Sequence, residues 1–312
     1  MKIERIGDRG VFFTFGKGDS PFEYSTSVYL INTADRIFIC DTHTGPKSMD
    51  VVKKYIKANG WEDKAVIIFN SHSDWDHIWG NCAFRDASVI SHKTARERML
   101  ERGAYDLERL RRFHNGKVEL RLPNITFEDK MSFEEEEIDF IYAPGHTIDS
   151  AICFDKKDSV LFAGDLIEYP VPSLGHYDLQ GFLDSLNKIR IYSPRLILSA
   201  HSGIASRELL EDNTCYIRDL LNLGPSMPIE GKDEEWQSGH LYNIKNLIFL
   251  RGVDRVRKKQ GAAFDHRSFK REFWGLVNPE YDKPEEEASY FSNTGCEELE
   301  AALSRYMDKL EI

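Results

Sequence analysis

The stretch Ser71-His72-Ser73-Asp74-Trp75-Asp76-His77 constrains this chain more than any other. It sets two imidazoles and two carboxylates within six positions, directly behind the apolar run Ala65-Val66-Ile67-Ile68-Phe69. Such a run reads as a buried strand. Ligand-type side chains at the end of a rigid strand can be held to tight tolerances. Imidazole and carboxylate together suit zinc, iron or manganese better than calcium, which prefers oxygen alone. The competing reading is a polar loop with Asp76 capping the next helix. Four ligand-type residues in six positions weigh against it.

The same arrangement recurs along the chain. Strand-like runs occupy residues 11–15, 27–31 and 36–40, the last two joined by the turn chemistry of Asn32-Thr33-Ala34-Asp35. The third run leads into Asp41-Thr42-His43. A helix follows Pro46 with an apolar stripe of Val51, Val52, Tyr55 and Ile56, and Asn59-Gly60 stops it. A short helical turn begins at Ile78, and residues 88–91 read as a strand. Residues 93–113 read as a charged surface helix with Met99, Leu100, Leu107 and Leu110 at helical spacing. Its arginines (Arg96, Arg98, Arg102, Arg109, Arg111, Arg112) either grip an anionic substrate or form a solvated face. Strand pattern returns at 125–127 and 138–142, with Glu134 to Glu137 as a solvated hairpin end. After Pro144-Gly145-His146-Thr147 come strands at 151–154 and 160–163, the latter running into Gly164-Asp165. A helix at 178–189 and a buried strand at 195–199 then lead to His201-Ser202-Gly203. Asp41, the 72–77 cluster, His146, Asp165 and His201 therefore each follow a strand. Loops at one sheet edge can converge.

Taken in order, Asp41-Thr42, the 72–77 cluster, Gly145-His146-Thr147, Gly164-Asp165 and Ala200-His201 resemble the metallo-β-lactamase superfamily, over roughly residues 11–203. The resemblance implies an α/β (α+β) fold: a four-layer αββα sandwich of two mixed β-sheets flanked by helices. It also implies a site for two divalent metal ions at one edge. Asp76, His77 and His201 match the ligands of one ion, His72 and His146 those of the other, and Asp165 the carboxylate between them. Asp41 matches a supporting carboxylate that orients the ligand loop. One position departs, because the usual pattern is His-x-His-x-Asp-His and the second His is here Asp74. A carboxylate keeps a ligand but makes that site harder and more negative, which favours iron or manganese beside the family's zinc. The departure resembles flavodiiron proteins, which carry Glu there. A di-iron oxidoreductase lacking its flavin domain is thus the alternative to a hydrolase.

For a hydrolase, a hydroxide shared by both ions would attack an ester, lactone, thioester, amide or phosphodiester, with Asp74 or Asp76 accepting the proton. Tyr169, His176, Tyr177 and His43 are candidates for substrate contact, while Trp75 and Trp79 read as anchors of the ligand loop. The net charge of -11 argues against nucleic acid as the main partner. A small molecule is the expected substrate. Five scattered cysteines without a CxxC pair, and a start lacking an apolar core, predict a reduced cytoplasmic setting without a membrane span. Residues 1–223 form the expected catalytic domain. From Gly224-Pro225-Ser226-Met227-Pro228 onward the chain reads as a mostly helical C-terminal extension, 224–312, packed on the core as a lid or a homodimer contact.

Overall fold

The computed structural model describes residues 1–279, 281 and 283–310. Residue alternation sets the layers. The first sheet runs β1 (Lys2–Ile6), β2 (Gly10–Phe15), β3 (Thr26–Asn32), β4 (Arg36–Cys40), β5 (Ala65–Asn70), β6 (Ser88–His92), β7 (Ile125–Phe127) in that spatial order. Its pairs are antiparallel as far as β4 and parallel beyond it. On β2, Val11, Phe13 and Phe15 join the core on one face and Phe12 joins the core on the other, as the period of two requires. The second sheet holds β8 (Lys130–Phe133), β9 (Ile138–Tyr142), β10 (Ala151–Asp155), β11 (Val160–Phe162), β12 (Leu196–Ser199) and β13 (Gly203–Ala205), again side by side. Only β11 and β12 are parallel in it.

Parallel neighbours need crossovers, and helices provide them. α1 (Pro46–Ala58) joins β4 to β5, and the short α2 (Trp75–Ile78) follows β5. α3 (Lys93–Arg109) joins β6 to β7, and α4 (Leu179–Tyr192) joins β11 to β12. Phe12, Phe38 and Phe69 meet Phe140, Phe162 and Leu198 between the sheets. Phe69 stacks on Phe140 with ring centroids 4.3 Å apart, and removing such a ring costs about 3–5 kcal/mol. Met49, Val52 and Ile56 of α1 cover the outer face of the first sheet. Phe182, Leu186 and Ile189 of α4, with Leu210 and Ile217 of α5 (Arg207–Leu223), cover that of the second. The layers are αββα, as expected.

Four strands depart from the sequence reading. β1 and β13 were not anticipated, since the first is a half-exposed edge and the second only three residues long. The turn at Glu134 to Glu137 does close a hairpin, but its first arm is β8. Residues 125–127 belong to the other sheet, paired with β6.

Beyond residue 223 the described residues are mostly helical. α6 (Glu234–Gln260) buries Trp236 and Leu247 against α4 and α5. Its second half, from Phe249, shares a separate core with α7 (His266–Val277) and α9 (Cys296–Lys309), flanked by α8 (Glu287–Asn293). Polar bonds tie these helices to the sandwich. Asn243 accepts from the Leu174 amide at 3.0 Å and donates to the Pro172 carbonyl at 2.9 Å, and Tyr105 donates to Glu287 at 2.8 Å. Among the described residues no helix is long and apolar enough to cross a membrane.

Candidate metal centre

The strand ends converge as their order suggested. Asp165 is reached through Gly164, whose φ of 55° suits glycine and whose absent side chain leaves room for Ser71. Its Oδ2 lies 3.2 Å from His77 Nε2 and from His201 Nε2, 3.5 Å from His72 Nε2 and 3.6 Å from His146 Nε2. Around this oxygen the other groups divide in two. Asp76 Oδ2 faces His77 at 3.5 Å and His201 at 3.4 Å, whereas Asp74 Oδ2 faces His146 at 3.4 Å and His72 at 3.7 Å. Each set, His72–Asp74–His146 and Asp76–His77–His201, has ligand atoms close enough together to hold an ion.

Hydrogen bonds decide which ring nitrogen faces the centre. His146 Nδ1 donates to the Ser173 carbonyl at 2.9 Å and His201 Nδ1 to the Ser25 carbonyl. His77 Nδ1 donates to Asp41 Oδ2 at 2.8 Å. Ser71 Oγ gives its one proton to Asp41 and so accepts from His72 Nδ1 at 3.0 Å. All four imidazoles therefore direct Nε2 inward, the arrangement of metal-binding histidine held by an outer partner. Asp41 carries much of this order. It is buried, sits at a φ of 60°, and also accepts from the Ser71 amide at 2.7 Å. A non-glycine residue there costs about 1–3 kcal/mol, which the surrounding bonds offset.

The centre is a poor polar core on its own. Among the described residues, His72 Nε2, His77 Nε2 and Asp165 Oδ1 are buried without a hydrogen-bond partner, and such groups cost free energy unless something pairs with them. Charge is packed tightly as well. Burial opposes ionisation of Asp165, but His201, His77 and His72 outweigh it and hold its carboxyl well below the usual range. Burial also opposes the charged forms of His146 and His201. Hydrogen bonding to Asp74, and for His201 the charge of Asp165, push them up to about 9 and about 10. His72 moves the other way, lowered by burial and by His77. Unpaired buried lone pairs beside an excess of imidazole and carboxylate fit a bound cation.

Sequence reasoning missed two contributors. Glu168 stands with Asp165 and His201 in a further group able to hold an ion, accepts from the Ser173 amide at 2.6 Å, and has its pKa raised by burial and by Asp165. Its only signal was its place three residues after Asp165. Asp149 takes the Ser73 amide at 2.8 Å and Arg98 at 2.8 Å, so it braces the ligand loop from the second sheet.

A cavity of about 310 Å³ opens beside Asp74 and His146. Arg98, Arg102 and Arg109 of α3 reach it, so this face of the helix is not simply solvated. Tyr242, Phe249 and Phe291 of the extension also line it. Tyr169, His176 and Tyr177 do not line it: Tyr169 is 63% exposed, and His176 stacks on Tyr177. His43 is buried rather than superficial. It packs on Phe15 and bonds Ser48 at 2.7 Å, and burial lowers its pKa to about 3. Trp75 and Trp79 pack together beside Phe113. Asp76 lies inside α2 and does not cap it; the cap position is Asp74, without a capping hydrogen bond. A larger cavity, about 770 Å³, lies at the opposite sheet edge by Arg36, Ala65 and Ser88, away from these groups.

Comparison with known proteins agrees with this fold. Residues 22–201 match the family model of the metallo-beta-lactamase superfamily. A probable metallo-hydrolase of Methanocaldococcus jannaschii is 27% identical over 177 residues, covering 55% of this chain and 74% of that protein. Among solved structures, DIM-1 metallo-beta-lactamase superimposes with a TM-score of 0.57 at 17% identity, over 70% of this chain and 96% of its own. FIM-1 from Pseudomonas aeruginosa, in its mono-zinc form, gives 0.58 at 16% identity, over 73% and 96%. This chain belongs to the metallo-beta-lactamase superfamily and is one of its metal-dependent hydrolases.

Proposed function

We propose that the protein is a binuclear hydrolase of an ester, lactone, thioester, amide or phosphodiester. His72, Asp74 and His146 would hold one divalent ion, and Asp76, His77 and His201 the other, with Asp165 between them. The observation that carries this reading is the single oxygen, Asp165 Oδ2, within 3.2 to 3.6 Å of four imidazole nitrogens. Bound there, the ions supply Lewis acidity and a water of lowered pKa. The chain supplies the rest. Asp41 and the carbonyls of Ser25 and Ser173 keep the rings aimed, and the Asp76 carboxylate, free of any Arg or Lys contact among the described residues, would take a proton through the oxygen it does not give to the ion. Substrate would enter by the cavity at Asp74 and His146, against α6 and α8, so the extension acts as its lid.

Metal analysis, with a panel of chromogenic esters, lactones and phosphodiesters assayed after chelation and reconstitution by zinc, manganese or iron, tests the reading. Two equivalents of metal and chelator-sensitive hydrolysis are expected; a purified protein that takes up no metal refutes it. The lid has its own test. A chain ending at residue 223 should be poorly soluble or inactive, because it loses the partners of Leu174 and Tyr105. Full activity without the extension would dismiss that role.

A further inference from the structure

The two halves of the centre have matching donors but unequal charge. Each has one carboxylate and two imidazoles, both share Asp165, and Glu168 adds a further carboxylate beside Asp165 and His201. Asp76 meets only imidazoles and Asp165, and among the described residues no guanidinium or ammonium pairs with it. Asp74 is different. Arg102 of α3 sets its Nη2 on Asp74 Oδ1, and the same nitrogen donates to Ser73 Oγ at 3.1 Å. The other oxygen, Oδ2, is the one that faces His146 and His72.

Arg102 is itself held. Its Nε lies 3.7 Å from Asp106, which takes Arg109 at 3.2 Å, so alternate charges run along α3 from the centre toward the extension. The side chains of Arg102 and Asp74 are only 21% and 28% exposed, so the pair is partly shielded from water. A guanidinium stays protonated at any working pH. It therefore cancels about one negative charge on one side of the centre and none on the other. It also occupies one carboxylate oxygen, leaving Asp74 a single oxygen to offer.

We infer that Arg102 is a positioning residue that makes the two ion sites unequal: it holds Asp74 to one oxygen and leaves the His72–Asp74–His146 site the weaker and more Lewis-acidic of the two. The inference rests on the binuclear reading above. It assigns the tighter ion to Asp76, His77 and His201. It assigns the ion at the substrate cavity, which Asp74 and His146 line, to the half with charge to spare for an incoming anionic oxygen. A cation next to a cation site weakens binding there, so removing it should strengthen one step only.

The test is a stepwise titration of the metal-free full chain with Mn²⁺ and with Co²⁺, read by calorimetry and by the visible Co²⁺ spectrum. The wild type should bind two ions with affinities at least tenfold apart. Arg102→Gln should tighten the weaker step until the two lie within about threefold, and should alter the Co²⁺ bands of that step. Arg102→Lys, which keeps the charge, should retain the inequality. Asp74→Asn should remove the weaker step and spare the tighter one. A role for Arg102 in folding alone would weaken both steps or lower Tm, and would not tighten one. Equal affinities in the wild type, or an Arg102→Gln protein with the wild-type ratio, overturns the inference while leaving the binuclear reading intact. A wild type with one ion must gain a second in Arg102→Gln, or the inference falls. Absence of any metal in the wild type removes the hydrolase reading itself.

Discussion

The Asp76 half of the centre and the Asp74 half are built from different parts of the chain. In the first, His77 and His201 are fixed by groups of the sandwich: Asp41 at the end of β4 and the Ser25 carbonyl just before β3. Asp74 and His146 look outward instead, to Arg102 on α3, to the 173–175 loop, and across the cavity to the extension. One half is thus held from the strand ends of the sandwich itself. The other is held in part from α3 and the 173–175 loop, and it faces the extension across the cavity. The lesson is that one buried cluster can be braced from two directions, with the cavity on the side that faces α3 and the extension.

The sharpest break of that comparison is Asp165→Asn, because this carboxylate touches both halves. It should reduce bound metal from two equivalents to at most one and activity by more than about 100-fold, beyond the usual cost of losing an outer partner. Undiminished metal by elemental analysis would contradict the assignment. Asp41→Asn should cost less, about 10–100-fold in metal affinity. It should do so chiefly in the tighter step, since Asp41 braces His77 directly and His72 only through Ser71. Equal weakening of both steps would show that the halves are not supported separately.

Much of this was legible in the sequence because strand periodicity and ligand chemistry coincide. The 65–69 run placed His72 to His77 at a strand end, and order alone aligned Asp41, His146, Asp165 and His201 with it. The α1 stripe and its Asn59-Gly60 stop were equally local signals. Long-range partners were not legible. Nothing in the run 93–113 says that Arg102 points at Asp74 while Arg96 turns to the Pro123 carbonyl, since both sit on one charged helix. Glu168 and Asp149 had no motif to mark them. The strand at 125–127 was read as the first arm of the hairpin closed at Glu134 to Glu137, because three residues cannot state their partner.

The smallest expected effect lies farthest from the candidate centre, where the extension meets α3. Glu287 of α8 is 5% exposed, pairs with Lys270 and accepts from Tyr105 at 2.8 Å. Burial opposes its charge, but Lys270 and Arg109 outweigh burial and bring its pKa down to about 2. Lys270 shifts in the opposing sense: burial outweighs its attraction to Glu287 and lowers it. The net worth of the pair is therefore smaller than the Glu287 shift alone implies. A carboxylate with a depressed folded-state pKa contributes stability that is complete above the ordinary value near 4.5 and disappears as pH falls toward 2. Wild-type Tm should accordingly drop across that window. Glu287→Gln should be less stable at pH 7, where it strands a buried ammonium, and flatter in acid. The double change Glu287→Gln with Lys270→Met should regain much of the neutral-pH loss, because a buried pair replaced on both sides is often close to neutral. Parallel Tm profiles for wild type and Glu287→Gln between pH 6 and 3 would mean that the extension is held to α3 by packing rather than by this charge. The outward-facing half of the centre would then owe its geometry to Arg102 without help from beyond α3.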